Sequence, residues 1–127
     1  MLAADQRLRH ADAFRRTVRS GRRAGGPALV VHLYVDDSPE HEPAKAGFVV
    51  SKVVGGAVVR NLVKRRLRHI VKEFLSDLPA SAELVVRAQP AAATMTSAEL
   101  RAELARCLLR VGVADPVAAG SGSGARS

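Results

Sequence analysis

Apolar residues recur along this chain at changing intervals, and the changes mark out its elements. Residues 1–10 are polar and read as extended. Phe14 and Val18 then stand four apart in a polar stretch, which predicts a short amphipathic helix, capped by Asp12 and stopped by Gly21. Leu29–Val35 (LVVHLYV) is β-branched and apolar enough for a strand. Its alternation puts Leu29, Val31, Leu33 and Val35 on one face, and Val30, His32 and Tyr34 on the other. After the polar loop Asp36–Pro43 (DDSPEHEP), Ala46–Ser51 (AGFVVS) returns as a second strand. The natural pairing of these two strands is an antiparallel hairpin with a long connection.

From Ala57 the period lengthens. A Gly-containing turn over Lys52–Gly56 opens a long helix over Ala57–Ser76, ended by Pro79. Val59, Val63, Leu67, Ile70 and Phe74 share one arc of it and should face the sheet. Glu83–Ala88 (ELVVRA) alternates again, as a strand closed by Pro90. Thr96 with Glu99 three residues on is a capping-box pattern, and it opens a last helix with Leu100, Leu104, Leu108 and Val111 on one stripe. The small polar residues after Asp115 predict a disordered tail. The order helix, strands, long helix, strand, helix predicts a single α+β domain over residues 1–114, with a flexible segment 1–10 and a C-terminal tail 115–127.

Composition narrows the core and the partners. The chain has 127 residues, 47% of them hydrophobic but only 3% aromatic, so its core must be aliphatic. With 20 Lys and Arg against 12 acids, its net charge of +8 predicts a polyanionic partner, either nucleic acid or an anionic membrane. No apolar run approaches the ~20 residues needed to span a bilayer. The charged N-terminus lacks the apolar centre of a signal peptide, and the single cysteine allows no internal disulfide. A soluble cytoplasmic protein follows by elimination.

Where the charge falls matters more than its sum. Between Arg60 and Lys72 lie six basic residues and no acid. At about 100° per residue, Arg60, Lys64, Arg68, Lys72 and Arg65 occupy one arc beside the apolar stripe, with Asn61 inside it and Arg66 on the opposite flank near Leu62. Like charges four apart repel by a few tenths of a kcal/mol. A merely solubilising face usually intersperses Glu, whereas here the first acid is Glu73. A polyanion would relieve the repulsion, and this favours phosphate contact. Membrane attachment is disfavoured, because the core needs the helix's apolar stripe. A second basic patch (Arg7, Arg9, Arg15, Arg16, Arg19, Arg22, Arg23) reads equally as a phosphate-gripping arm or as solubilising charge.

Other chemistry is sparse. Asp36, Asp37, Glu40, His41 and Glu42 have the composition of a metal site without ligand spacing, so a solvated loop is the better reading. Cys107, beside Leu104 and Leu108, reads as core, since no base accompanies it. The carboxylate cluster that two-metal hydrolysis requires is not evident. No catalytic residue is assigned.

The run Phe48–Arg68 (FVVSKVVGGAVVRNLVKRRLR) resembles the signature of the bacterial ribonuclease P protein family: a strand ending in Ser-Lys, a Gly turn, Ala-Val, then an Arg-Asn-Arg-x-x-Lys-Arg helix. Arg7-Leu8 before Phe14, Gly21-Arg22, and ELVVRA also sit where that family places them, so the resemblance covers roughly residues 5–112. It implies a compact αβββαβα sandwich similar to the second domain of ribosomal protein S5, with a left-handed βαβ crossover through the long helix. Sequence physics alone would favour a right-handed one.

The resemblance further implies that an RNA subunit removes the 5′ leader of precursor tRNA, using Mg2+ held mainly by RNA. The protein would bind that RNA through Lys52, Arg60, Asn61, Lys64, Arg65, Arg66 and Arg68, with one protein per RNA. It would bind the leader in a cleft formed by Phe14, Val18, Val30 and His32, where a flat ring at position 32 matters more than its proton. Arg7, Arg9, Arg15 and Arg22 are candidates for additional RNA contacts. The chain departs from the family pattern at Leu62, where the motif has its second Arg, and at Val53, where a second Lys is common. The competing reading is a ribosomal or general RNA-binding protein that uses the same helix on rRNA.

Overall fold

The computed structural model describes residues 6–8, 11–35 and 42–113. In chain order its elements are α1 (Ala11–Ser20), β1 (Arg22–Gly25), β2 (Leu29–Val35), β3 (Lys45–Val49), α2 (Ala57–Lys72), β4 (Ala82–Ala88) and α3 (Ser97–Arg110). This is the αβββαβα order. Short 3-10 turns at Leu75–Asp77 and Pro90–Thr94 flank β4. The tail from residue 114, and residues 1–5, 9 and 10, lie outside the described residues, as does the acidic loop over 36–41.

The four strands form one sheet in the order β1-β2-β4-β3. β2 is antiparallel to both β1 and β4, whereas β3 runs parallel to β4. The hairpin expected between Leu29–Val35 and Ala46–Ser51 is therefore not formed, because β4 lies between them. Burial supplies the reason. Leu84, Val85 and Val86 are each fully buried, so β4 is apolar on both faces and belongs in the middle of the sheet. β3 carries Gly47 and the half-buried Phe48 and Val49, and it takes an edge. Arg7 bridges to Ala46 along that edge, and the Leu8 N–H donates to the Ala46 carbonyl at 2.9 Å.

That bond also fixes the hand of the β3–α2–β4 connection. Ala46 turns its side chain into the core while its carbonyl points outward to Leu8. For an L-residue this places β4 to the left of β3 when the sheet is viewed from α2. The crossover is left-handed, against the usual rule.

α2 and α3 cover one face of the sheet. Leu29, Val31, Leu33, Leu84 and Val86 meet Val63, Leu67, Ile70, Val71 and Phe74 there, together with Leu100, Leu104, Leu108 and Val111. Val59 departs from expectation. It lies in the first turn of α2, 36% exposed and packed against Gly55, while Val71 joins the core. Val35, at the far end of β2, is likewise exposed.

Helix ends follow local chemistry. α2 stops at Lys72, four residues short of Ser76, as the chain tightens into the 3-10 turn and Leu78 becomes extended before Pro79. Asp12 does not precede α1 but lies within its first turn, where it pairs with Arg15. α3 has the full capping box: the Glu99 N–H donates to Thr96 Oγ1 at 3.1 Å, and the Thr96 N–H donates to Glu99 Oε1 at 2.8 Å. Further along α3, buried Glu103 accepts the Ala28 and Leu29 N–H groups at 2.7 and 2.5 Å, which anchors the start of β2.

Candidate nucleic-acid interface

α2 presents its charge over a packed back. With Val63, Leu67, Ile70 and Val71 buried, Arg60, Lys64 and Arg68 are half-buried along their stems and Arg65 and Lys72 are exposed. Among the described residues none of these five enters a salt bridge. Glu73, the first acid beyond the run, is held by Arg101 at 2.9 Å, and Arg101 lies over the Phe74 ring at 5.1 Å. The first turn of α2 holds no acid, and Gly56 caps it without a side chain. Lys52 is exposed on the turn before the helix, which is closed by the Gly55 N–H on the Lys52 carbonyl at 3.2 Å. Asn61 is exposed within the basic arc. Arg66 differs: its Nη1 donates to the Met95 carbonyl at 3.0 Å, so part of its donor set serves the fold.

The opposite face of the sheet lies under α1. One register row crosses it through Arg23, His32, Val85 and Gly47, and the next through Gly25, Val30, Arg87 and Val49. The Phe14 ring rests on Gly47, where an added Cβ would lie 2.2 Å from a ring carbon. At its other anchor α1 is clamped by buried Glu83, which accepts from Thr17 Oγ1 at 3.1 Å and from Arg16 Nε at 3.2 Å. The Arg16 guanidinium also lies 5.2 Å over the Tyr34 ring. The Val30–Arg87 row lies one step beyond these anchors, and Val18 stands on the helix rim, 38% exposed.

His32 is only 5% exposed, and its Nδ1 is buried without a hydrogen-bond partner. Burial pushes its pKa below the usual value, with Arg23 and Arg87 lowering it further. The imidazole is therefore neutral at pH 7, between two arginines. An aromatic ring, aliphatic walls and flanking cations are the elements that hold single-stranded nucleic acid, with bases against flat surfaces and phosphates against charge.

The family model described as Ribonuclease P matches residues 2–112. The chain belongs to the ribonuclease P protein family. The ribonuclease P protein component of a Nocardioides species is 58% identical over 112 residues, spanning 88% of this chain and 96% of that relative. The Streptomyces griseus component is 50% identical, spanning 87% and 95%. The Staphylococcus aureus ribonuclease P protein superposes with a TM-score of 0.76 at 27% identity, covering 87% of this chain and 98% of that one. This ribonuclease P protein is thus the protein partner of an RNA subunit in an endoribonuclease complex that processes tRNA. No helix among the described residues is long and apolar enough to cross a membrane.

Of the residues singled out in this family member's sequence, the structure brings Arg60, Asn61, Lys64, Arg65 and Arg68 along one side of α2, with Lys52 on its preceding turn. Phe14, Val18, Val30 and His32 come together on the α1 side of the sheet, though Val30 and His32 are more buried than an open groove would leave them. Arg7 lies on the β3 edge and Arg15 faces Asp12. Arg22 Nη1 donates to the Val111 carbonyl at 3.2 Å. Arg9 is outside the described residues. Sequence reasoning missed Arg87 altogether, and it counted Arg16 as free charge although Arg16 clamps Glu83. The signal for Arg87 was parity: it is in phase with Val85 and so opposes the core-facing Leu84 and Val86. Cys107 is buried in the core, with its thiol pKa pushed up by burial and by Glu103.

Proposed function

We propose that this protein positions RNA on two separate surfaces: the catalytic RNA subunit on the α2 arc, and the 5′ leader of precursor tRNA in the α1 cleft. The observation that carries the reading is the α2 arc itself. Five basic side chains stand over an apolar back, without ion pairs among the described residues. A duplex or folded RNA offers that arc a row of phosphates, and each neutralised phosphate releases a counterion. Four to six such contacts give a slope of log K against log[salt] of roughly −3 to −5.

The hydrolytic step then belongs to the RNA, with Mg2+ held mainly by RNA and substrate. The chain binds one RNA subunit and contributes by orientation. Holding the leader beside the RNA-bound enzyme favours precursor over mature tRNA and lowers the Mg2+ needed, since protein cations replace part of the charge screening. A cytoplasmic site of action goes with this reading.

Cleavage of a 5′-extended precursor tRNA by the cognate RNA subunit at low Mg2+, with and without the protein, tests it. The protein should restore cleavage and widen the preference for precursor over mature tRNA. If both stay unchanged while the protein cosediments with ribosomal subunits, the ribosomal reading replaces this one.

A further inference from the structure

Six large hydrophobic residues are exposed among the described residues, and three of them fall within seven positions: Val53 at 71%, Val58 at 83% and Val59 at 36%. They straddle the Gly55–Gly56 pair that leads from β3 into α2. Val59 packs back on Gly55, where an added Cβ would lie 2.9 Å from Val59 Cγ1. Val53 and Val58 remain, largely solvated, on either side of the turn.

Fold stability does not account for them. Val58 lies in the first turn of α2, where Asp or Glu would favour the helix dipole and a β-branched residue is a weak helix former. At 83% exposure it returns almost nothing through burial. The charges nearest the two valines are of one sign: Lys52 on the turn, and exposed Arg65, which two turns further along α2 returns to within about 20° of Val58, with no acid in the first turn. An apolar partner protein would find this cationic frame unfavourable, and a phosphate-bearing partner would find it complementary.

We infer that Val53 and Val58 form an apolar contact for an unpaired nucleobase of the catalytic RNA subunit, with Lys52 and Arg65 holding the flanking phosphates. The inference rests on the proposed binding of that RNA by α2. A continuous RNA duplex offers little to such a surface, because its apolar base faces are stacked inside and its major groove is deep and narrow. An unstacked base in a loop or bulge offers a flat apolar face between two phosphates, which matches two aliphatic side chains set among cations.

Apolar and ionic contacts leave different signatures in salt, and the test uses that difference. Affinity of the full-length protein for the RNA subunit alone is measured across a salt series for Val58→Thr, Val53→Ser/Val58→Thr, Val58→Ile and Arg60→Ala. Thr keeps the shape of Val58 and exchanges a methyl for a hydroxyl. Val58→Thr should weaken binding roughly fivefold and the double variant roughly 20-fold, on the scale of buried methyl groups, with the salt slope unchanged. Val58→Ile should keep or improve affinity. Arg60→Ala should flatten the slope by nearly one unit. Thermal melts should stay near the parent for Val58→Thr, since the side chain is solvated.

If Arg60→Ala flattens the slope while both threonine variants bind like the parent, the base contact is wrong and the α2 reading stands. If the parent does not bind the RNA subunit, or Arg60→Ala leaves the slope alone, the α2 reading itself fails. If the threonine variants alter only the complex with precursor tRNA, or only self-association in sedimentation, the occupant is substrate or a second copy, and the inference is overturned.

Discussion

The α2 arc and the α1 side of the sheet lie on different layers of the same small domain, and the binding proposed for them would work by opposite means. The arc is convex and charged, with no ion pair to its basic groups among the described residues. Its contacts should be numerous, individually replaceable and sensitive to salt. On the α1 side Val30 and His32 are nearly buried, and the cations there stand beside a neutral imidazole with an unused nitrogen. Contacts on that side should be few, dependent on geometry and sensitive to pH. On the proposed reading, one chain would grip a large, folded RNA without discrimination while testing for a short single strand with some.

Removing charge from the arc should break the comparison most visibly. Arg60→Ala/Lys64→Ala should lower affinity for the RNA subunit roughly 30-fold near physiological salt and flatten the salt slope by almost two units. At saturating RNA subunit, the preference for precursor over mature tRNA should survive. Filter binding across a salt series checks the first statement and competition cleavage the second. Loss of the preference in step with affinity would mean that the two surfaces are not separate.

The cleft has its own point of failure in Gly47. A methyl there would collide with the Phe14 ring at 2.2 Å, so Gly47→Ala must lift Phe14 and with it the α1 side of the cleft. Overpacking of this kind costs about 1–3 kcal/mol. The expected result is a lowered melting temperature and a roughly tenfold loss of precursor preference, if that strain is expressed as a misplaced wall. Affinity for the RNA subunit and its salt slope should not move.

These two regions were unequally legible in the sequence. The arc could be read because helical periodicity is local: Arg60, Lys64 and Arg68 must share a face wherever the helix goes. The capping box at Thr96 was local in the same sense. The cleft required pairings that no local rule supplies. Nothing within Leu29–Val35 says that its neighbour is Ala82–Ala88 and not Lys45–Val49. With the hairpin assumed, Arg87 could not be placed beside Val30. Arg16 and Glu83 are 67 positions apart, and only the folded sheet turns two apparent surface charges into the clamp on α1. The left-handed crossover was legible through family resemblance alone, since the general rule points the other way.

His32 sharpens the contrast through pH. Its folded pKa is lowered by burial, then by Arg23 and Arg87, so the unfolded chain takes up its proton first as pH falls. The associated stability is therefore present above the ordinary histidine value near 6.5 and is lost as pH drops towards the folded pKa. The slope is bounded by one proton, about 1.4 kcal/mol per pH unit. His32→Gln should remove that part of the slope in melts between pH 7 and 5. A bound phosphate would offset the two arginines and favour the imidazolium. Leader-dependent affinity should accordingly rise by a factor of a few on mild acidification in the parent and stay flat in His32→Gln. Salt-dependent affinity for the RNA subunit should show no such histidine term.

The smallest effect belongs to the flank of α2 that the arc leaves weak. Leu62 is half-buried and stands one turn before Arg66, whose Nη1 is already committed to the Met95 carbonyl. If the RNA subunit wraps the helix as far as this flank, Leu62→Arg adds a cation within reach of phosphate. It should then raise affinity two- to threefold and steepen the salt slope by less than one unit, because part of the new side chain must lie along the helix to clear its half-buried site. A contact confined to the arc predicts no change in slope and a slight loss of stability from the lost apolar burial. The sign of the slope change decides how far round α2 the RNA extends, and it does so without disturbing a residue of either surface.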